Sequence, residues 1–252
     1  MRRQGASETR ESARSIPVID ERYHASTAPR AEVHPRRRHE TLDRVVNIAL
    51  ATAGLIFAAP LIFVFTLLVR LNSPGPIFYR QARVGLDRRR GGRALSHDGD
   101  RRRRNLGGRP FMIYKFRTMR LDAEKHNGAV WATKGDQRVT SLGRIMRKYR
   151  VDEIPQLINV IRGEMNIVGP RPERPSIFSR LSDDIQNYPL RQRARPGITG
   201  WAQINLAYDT SLDDVRQKVR YDLEYLERQG VTEDLWIMAR TVPVMIFRKG
   251  GW

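Results

Sequence analysis

The sequence has no cysteine, which excludes disulfides and any Cys-ligated zinc site. Its five histidines form no HExxH or HxxxH pair, which argues against a zinc hydrolase. Lysine is scarce: arginine supplies most of the 46 cations, which face 27 acids and leave a formal net charge of +19. Residues 1–44 hold ten Arg and seven acids, and residues 86–109 hold nine Arg and three acids, so much of the excess lies in the part that reads as folded. A surplus of this size implies an anionic partner: nucleic acid, anionic lipid head groups or a phosphorylated substrate. Residues 1–43 are poor in large apolar side chains and lack periodicity, so they read as a disordered basic tail. No apolar run follows the early arginines closely enough for a secretory signal.

Charge is absent from one long run, VVNIALATAGLIFAAPLIFVFTLLV, residues 45–69, bracketed by Arg44 and Arg70. Twenty-five helical residues span roughly 37 Å, enough for the hydrocarbon core of a bilayer with some tilt. This defines a membrane segment over 44–70 and leaves 71–252 as one domain. Pro60, near the middle of the run, removes a backbone donor. Both flanks are basic, with Arg36, Arg37, Arg38 and Arg44 before and Arg70, Arg80 and Arg83 after, so the positive-inside rule gives no orientation. A helix that breaks at Ala59-Pro60 and returns satisfies both flanks. A kinked spanning helix fits the apolar length equally, and on the residues alone both stand.

The remainder reads as a mostly helical α/β domain with short strands. After a turn at 72–76, Ile77–Val84 is a short strand. Residues 86–108 are a Gly/Arg-rich loop insertion. PFMIYKFRTM alternates as a strand, with Phe111, Ile113, Lys115 and Arg117 on one face and both cations at its end. Thr140 or Ser141 caps a helix whose apolar side is Leu142, Ile145, Met146 and Tyr149, with Arg144, Arg147 and Lys148 opposite. A second helix is predicted from about Glu153 to Arg162, with Asp152 as N-cap, Pro155 in the first turn and Gly163 just past the end. Three prolines between 169 and 175 stiffen the next loop. Ser211 with Asp214 forms a capping box for a helix to about Glu227. A last helix from about Thr232 presents Leu235, Trp236, Met238, Ala239, Val242 and Ile246. Pro243 kinks it, and it belongs either to the core or to the membrane interface.

Two adjacent acids at a helix start, Asp152 and Glu153, are ordinarily only a cap. Here Arg144, Arg147, Lys148 and Arg150 precede them, Lys115 and Arg117 end the strand before, and Arg171 and Arg174 occupy the stiff loop after. Such a cluster suits phosphate oxygens. Carboxylates inside an anion site either hold Mg²⁺ that bridges to a diphosphate, or attack phosphorus. Beside a membrane segment, the cluster points to a phosphate-bearing lipid substrate. Two other classes compete. RRRGGRALSHDGDRRRR could hold a nucleic-acid backbone, but no recognised nucleic-acid-binding motif accompanies it. Asp98-Gly99-Asp100 has the DxD form of a metal-dependent glycosyltransferase, but no strand flanks it. An inactive scaffold is disfavoured by the intact Asp152, Glu153, Lys115 and Arg171.

PGPIFYRQARVG, GGRPFMIYKFRTM, RVDEIPQLINVIRGEMNIVGPRPE and RPGITGWAQIN, in this order over roughly residues 42–248, resemble the bacterial sugar transferase family, the monotopic polyprenyl-phosphate phosphoglycosyl transferases. The resemblance implies a re-entrant membrane helix broken at Pro60, followed by a compact catalytic domain with interfacial amphipathic helices. It implies Asp152 and Glu153 as a catalytic dyad that also binds Mg²⁺. Asp152 would be the nucleophile that forms a phosphosugar-enzyme intermediate and releases UMP. Lys115 and Arg117 match the family's KFR motif and Arg171 its Pro-Arg-Pro motif. These three, with Arg147 beside the dyad and Arg195 in the RPGITG motif, are the implied phosphate- or substrate-binding residues. The implied partners are a UDP-sugar, polyprenyl (undecaprenyl) phosphate and membrane lipid, with no nucleic acid. The implied place is the cytoplasmic face of a bacterial inner membrane, at the first membrane step of polysaccharide or glycoconjugate assembly. The chain departs from the family in the insertion between Gly85 and Gly107, in Arg109 where Lys is usual, in Leu206-Ala207 where Gly-Arg commonly follows GWAQIN, and in Ala59 where Ser is common. It resembles the minimal catalytic form.

Overall fold

The computed structural model describes residues 33, 35–87, 108–121, 123, 136–206 and 211–247. The tail as far as residue 32, the core of the basic insertion and Asp98-Gly99-Asp100 lie outside the described residues.

The apolar run forms α1, Glu40–Asn72. It is long and apolar enough to cross a membrane, with a mean hydropathy of 2.4 over its most apolar stretch. α1 is helical on both sides of Pro60, which lies inside it. A proline removes one rung of the hydrogen-bond ladder, and a helix this long retains enough rungs on either side to continue.

One stripe of α1 faces the rest of the protein on both sides of Pro60. Asp43, Asn47 and Ala51 are buried at four-residue spacing. Ala51 packs with Phe111, Ile113, Val160 and Met165, and Leu157 lies against Gly54, where a Cβ would stand 3.1 Å from it. Beyond the proline, Ile62, Phe65 and Val69 join Phe116, Met146 and Val151. The other faces expose Ile56, Phe57, Leu61, Phe63, Val64, Leu67 and Leu68.

β1, Phe78–Val84, pairs antiparallel with β2, Pro110–Phe116. The basic insertion is therefore the loop of a hairpin, closed at its root where the Gly85 amide donates to Arg109 (3.0 Å) and the Arg109 amide to Leu86 (3.3 Å). Lengthening a loop whose ends are already joined adds little closure entropy, so the fold tolerates it. α2, Ser141–Lys148, is capped by Thr140, whose hydroxyl accepts from the Gly143 amide at 3.0 Å. α3 spans Gln156–Arg162 and ends at Gly163, which has φ +78°. β3, Asn166–Val168, and β4, Gly197–Thr199, make a small parallel sheet. Between them run α4, Pro175–Asp184, and a 3₁₀ turn, Tyr188–Arg193. α5, Trp201–Asn205, α6, Leu212–Arg228, and α7, Val231–Phe247, complete the order.

The predicted capping box of α6 is present in both directions: Ser211 N–H to Asp214 at 2.9 Å and Asp214 N–H to Ser211 Oγ at 3.2 Å. α7 divides its apolar residues. Ile237 is fully buried and Trp236 and Met238 pack on the main core, whereas Leu235, Val242 and Met245 are exposed. The helix thus serves the core with one face and presents another outward.

Two polar links seat the start of α1. The Asn47 amide group donates to the Asp43 carbonyl and its oxygen accepts from the Ile167 amide, both at 2.8 Å. Arg38 pairs with Asp43 and Asp234 and donates to the Tyr225 hydroxyl. Replacing Asn47 by Ala leaves the Ile167 amide without its acceptor in a partly buried place. We expect Asn47→Ala to lose about 1–3 kcal/mol of stability, read as a lower melting temperature in lipid nanodiscs.

Candidate active site

α2 ends because Arg150 adopts the left-handed conformation, φ 56°, ψ 20°, which a non-glycine residue enters only when its surroundings hold it there. Val151–Glu153 then form a 3₁₀ turn, closed by Glu153 N–H to Arg150 C=O (3.1 Å) and Ile154 N–H to Val151 C=O (3.2 Å). The predicted N-cap role of Asp152 is therefore wrong. Pro155 has no N–H to give the Val151 carbonyl, the amide of Ile154 takes it, and a true α-helix starts only at Gln156 with Pro155 as its cap. The amides of Leu157 and Ile158 are likewise occupied within the turn. Side-chain cations, rather than a helix N-terminus, surround the two acids here.

Both acids are buried, but their surroundings differ. Glu153 Oε1 accepts from Lys115 Nζ at 2.7 Å and from Arg171 at 2.6 Å, and Oε2 accepts from Arg150 at 3.3 Å. Burial opposes ionisation, yet Arg171, Lys115 and Arg150 overcome it and hold Glu153 well below the usual carboxylate range. The Asp152 carboxylate makes no side-chain hydrogen bond among the described residues. Burial pushes its pKa up and the Glu153 charge adds to this, against the pull of Lys115, Arg147 and Arg171. Lys115 is pushed down by burial, with Arg171 adding to the effect and Glu153 resisting it.

Of the residues predicted for the site, Asp152, Glu153, Lys115, Arg147 and Arg171 come together. Arg147 is steadied by a bond from its Nε to Thr118 Oγ1 at 3.0 Å. Arg117 does not join them. Its guanidinium turns to the α1–β1 turn, where it donates to the Pro74 carbonyl (2.9 Å) and to both the carbonyl (2.7 Å) and hydroxyl (2.8 Å) of Ser73. The predicted strand carried on through Arg117, whereas it ends at Phe116 and Arg117 faces the turn. Arg195 lies at the entrance to β4, with its carbonyl against Gly169 at the root of the proline-rich loop. Arg144 is exposed and reaches Ser141, and the Lys148 ammonium lies 5.3 Å over the Tyr149 ring. Sequence reasoning missed Thr118 and Arg83 as parts of the site's surroundings. Their places depend on contacts across the fold that no periodic signal carries.

For a divalent cation the donor set is small. Among the described residues no group of three or more His, Cys, Asp or Glu side chains converges. Both Glu153 oxygens are taken by cations, which does not fit a role as metal ligand in this arrangement. Asp152, with no side-chain hydrogen bond among the described residues, fits the single-carboxylate pattern in which Mg²⁺ draws its other ligands from phosphates and water.

A sequence model described as bacterial sugar transferase matches residues 38–92 and 99–248, with its gap inside the basic insertion, and the chain belongs to that family. A UDP-glucose:undecaprenyl-phosphate glucose-1-phosphate transferase of Caulobacter vibrioides is 40% identical over 220 residues, which cover 86% of this chain and 72% of that protein. A UDP-N-acetylgalactosamine-undecaprenyl-phosphate N-acetylgalactosaminephosphotransferase of Aeromonas hydrophila is 35% identical over 210 residues, 83% of this chain and 45% of the relative. A UDP-glucose:undecaprenyl-phosphate glucose-1-phosphate transferase of Escherichia coli is 37% identical over 203 residues, 80% of this chain and 39% of the relative. The chain thus spans less than half the length of the last two.

The two acids should respond oppositely to neutralisation. Asp152 has a folded pKa above its ordinary 3.8. Its protonated form favours folding, and that contribution is lost as pH rises through the folded pKa. Glu153 has a folded pKa well below 4.5, so its contribution is present above 4.5 and lost as pH falls through the folded value. In EDTA at neutral pH, Asp152→Asn should melt above wild type and Glu153→Gln below it. The gain for Asp152→Asn should fade as the pH approaches the ordinary aspartate value. Equal shifts of the same sign would refute this division of roles.

Proposed function

We propose that the protein transfers a sugar phosphate from a UDP-sugar to a polyprenyl phosphate such as undecaprenyl phosphate, releasing UMP, by way of a phosphosugar carried on Asp152. The observation that carries this reading is the contrast within the dyad. Glu153 is engaged by cations at both oxygens, while Asp152 lies among Lys115, Arg147 and Arg171 and makes no side-chain hydrogen bond among the described residues. The relatives named for UDP-sugar:undecaprenyl-phosphate transfer support the substrate class.

In the first half-reaction an Asp152 oxygen attacks the β-phosphorus of the donor. A new O–P bond forms, the bond from that phosphorus to the bridging oxygen breaks, and UMP departs with the electron pair. Arg171, Lys115 and Arg147 orient the diphosphate and take up charge on the transferring group and on UMP. Glu153 holds Lys115 and Arg171 in place and limits their mutual repulsion. In the second half-reaction a phosphate oxygen of the polyprenyl phosphate attacks the same phosphorus, the Asp152–phosphorus bond breaks, and the carboxylate is restored. Mg²⁺, when bound, would be held by Asp152 with diphosphate oxygens and would supply further charge neutralisation.

Incubation of wild type with Mg²⁺ and each of UDP-glucose, UDP-galactose, UDP-N-acetylglucosamine and UDP-N-acetylgalactosamine, without lipid acceptor, should leave a phosphosugar adduct in the intact mass for the true donor. Undecaprenyl phosphate should discharge it. Asp152→Asn should form no adduct and lose turnover by orders of magnitude. Near wild-type turnover in that variant would overturn the mechanism.

The setting we propose is a bacterial inner membrane, with α1 dipping into lipid and returning to the cytoplasmic side that carries the catalytic domain. Asn47 and Val69 are about 33 Å apart along the helix, yet both pack on the same body. A helix crossing the bilayer could not keep both contacts with a domain confined to one side. Single cysteines in this cysteine-free chain at the exposed positions Arg37 and Asp213 should both resist an impermeant thiol reagent in intact cells and react after permeabilisation. Labelling of Arg37→Cys alone in intact cells would mean that α1 crosses.

A further inference from the structure

The segment Pro170-Arg171-Pro172-Glu173 has an unusual pattern of backbone bonds. Two of its four residues have no N–H, so it cannot close on itself as an ordinary turn does. Instead, each of its four carbonyls is taken by a donor from elsewhere in the chain. The Gly197 amide donates to Pro170 at 3.0 Å and the Val84 amide to Glu173 at 2.9 Å. The two in the middle are held by arginine side chains: Arg191 donates to the Arg171 carbonyl and Arg83 to the Pro172 carbonyl, each at 3.0 Å.

These two arginines are themselves anchored. Arg191 is fully buried, pairs with buried Asp222 of α6 at 2.6 Å, and donates to the Tyr188 hydroxyl at 3.0 Å. Arg83 donates to Gln81 at 2.6 Å and reaches the Glu173 carboxylate at 3.4 Å. It is close enough to Arg171, Arg174 and Glu153 for their charges to act on it. A buried guanidinium is costly to desolvate, and a hydrophobic side chain of similar size would fill the space at least as well. What a hydrophobic replacement could not do is grip a carbonyl at a fixed distance.

We infer that Arg83 and Arg191 are positioning residues for substrate binding: they grip the consecutive carbonyls of Arg171 and Pro172 and so set where the Arg171 guanidinium meets Glu153 and the donor diphosphate. This rests on the proposed role of Arg171 as a phosphate-binding group. The line of force is continuous: Asp222 holds Arg191, Arg191 holds the Arg171 carbonyl, and the Arg171 side chain reaches Glu153 at 2.6 Å.

Removing Arg191 alone would strand the buried Asp222 charge, so the test replaces both, as Arg191→Met with Asp222→Leu, alongside Arg83→Met and Arg83→Lys. The full chain in nanodiscs is used throughout. The first readout is amide exchange in the peptide covering 169–176, which should speed up in the Arg191/Asp222 pair and in Arg83→Met while α6 stays protected. Unchanged exchange there overturns the inference. The second is affinity for UDP, whose diphosphate is common to all the donors. It should weaken roughly tenfold or more, the scale on which small misplacements of a binding group act, with Arg83→Lys recovering part of the loss. In an Arg171→Ala background the same changes should have little further effect. Equal weakening with and without Arg171 means that the clamps act elsewhere, and overturns the inference. Wild-type UDP affinity in Arg171→Ala alone would instead refute the phosphate-binding role of Arg171, and the exchange readout would then decide the positioning claim by itself.

Discussion

The arrangement around Glu153 is the constraint on which the site depends. Its carboxylate sits under the surface and accepts from three cations that come from three different elements: Lys115 on β2, Arg150 in the left-handed link after α2, and Arg171 in the proline-rich loop. Three cations brought together without an anion would repel one another in a poorly solvated place. One buried carboxylate without them would protonate. Each side makes the other tenable, and the hairpin, the 3₁₀ turn and the loop are thereby registered to one another. The left-handed Arg150 is consistent with this, because its backbone conformation persists only where the surroundings over-determine it. With Glu153 so engaged, the adjacent Asp152 is left without a side-chain hydrogen bond among the described residues, and this asymmetry distinguishes the two acids.

How much of this was legible in the sequence depends on the range of the interaction. Signals carried within a few residues were read correctly: the capping box of Ser211 and Asp214, the Thr140 cap, the Gly163 stop, the alternation of β2 and the apolar run of α1. The clustering of Lys115, Arg147 and Arg171 on the two acids was proposed from the cations of the neighbouring elements, and the resemblance to a known family supported it, since no local pattern links positions 115 and 171. Three-residue strands carry no periodicity, so the β3–β4 sheet left no trace, and α4 went unread although Pro175 stands at its first turn. Arg117 was read together with Lys115 at the end of the strand, whereas its guanidinium bonds Ser73 and Pro74. Arg191 could not have been singled out at all, because its meaning lies in Asp222, on another helix, and in a carbonyl twenty residues back.

α1 has to satisfy two environments at once. Its exposed faces carry Phe57, Phe63 and Leu67, while its inner stripe is part of the fold's own packing, from Asn47 to Val69. The polar residues on that stripe are confined to its first turns, where Asp43 is paired with Arg38 and Asn47 is bonded to the chain leading into β3. Beyond Gly54 the contacts are apolar. Such a gradient suits a helix whose start lies at the level of the polar domain and whose middle lies in lipid. It also makes the helix inseparable from the site, since Val69 packs in the same cluster as Val151 and Phe116, each next in sequence to a site residue or one removed from it.

The prolines show one physical cause with three outcomes. Each removes an N–H, and the result depends on which neighbours can supply the missing donor. At Pro60 the surrounding helix is long, and the loss of one rung leaves it continuous. At Pro155 the unclaimed carbonyl of Val151 is taken by Ile154 instead, and this tightening produces the 3₁₀ turn that carries Asp152 and Glu153. At Pro170 and Pro172 no local donor can close the turn, so donors come from β1, from the approach to β4 and from two arginines of the interior. A flexible loop would have met its own carbonyls with its own amides and needed none of these. By removing that option, the prolines tie the backbone of Arg171 to the core of the domain, and a long, mobile side chain becomes a group with a defined place.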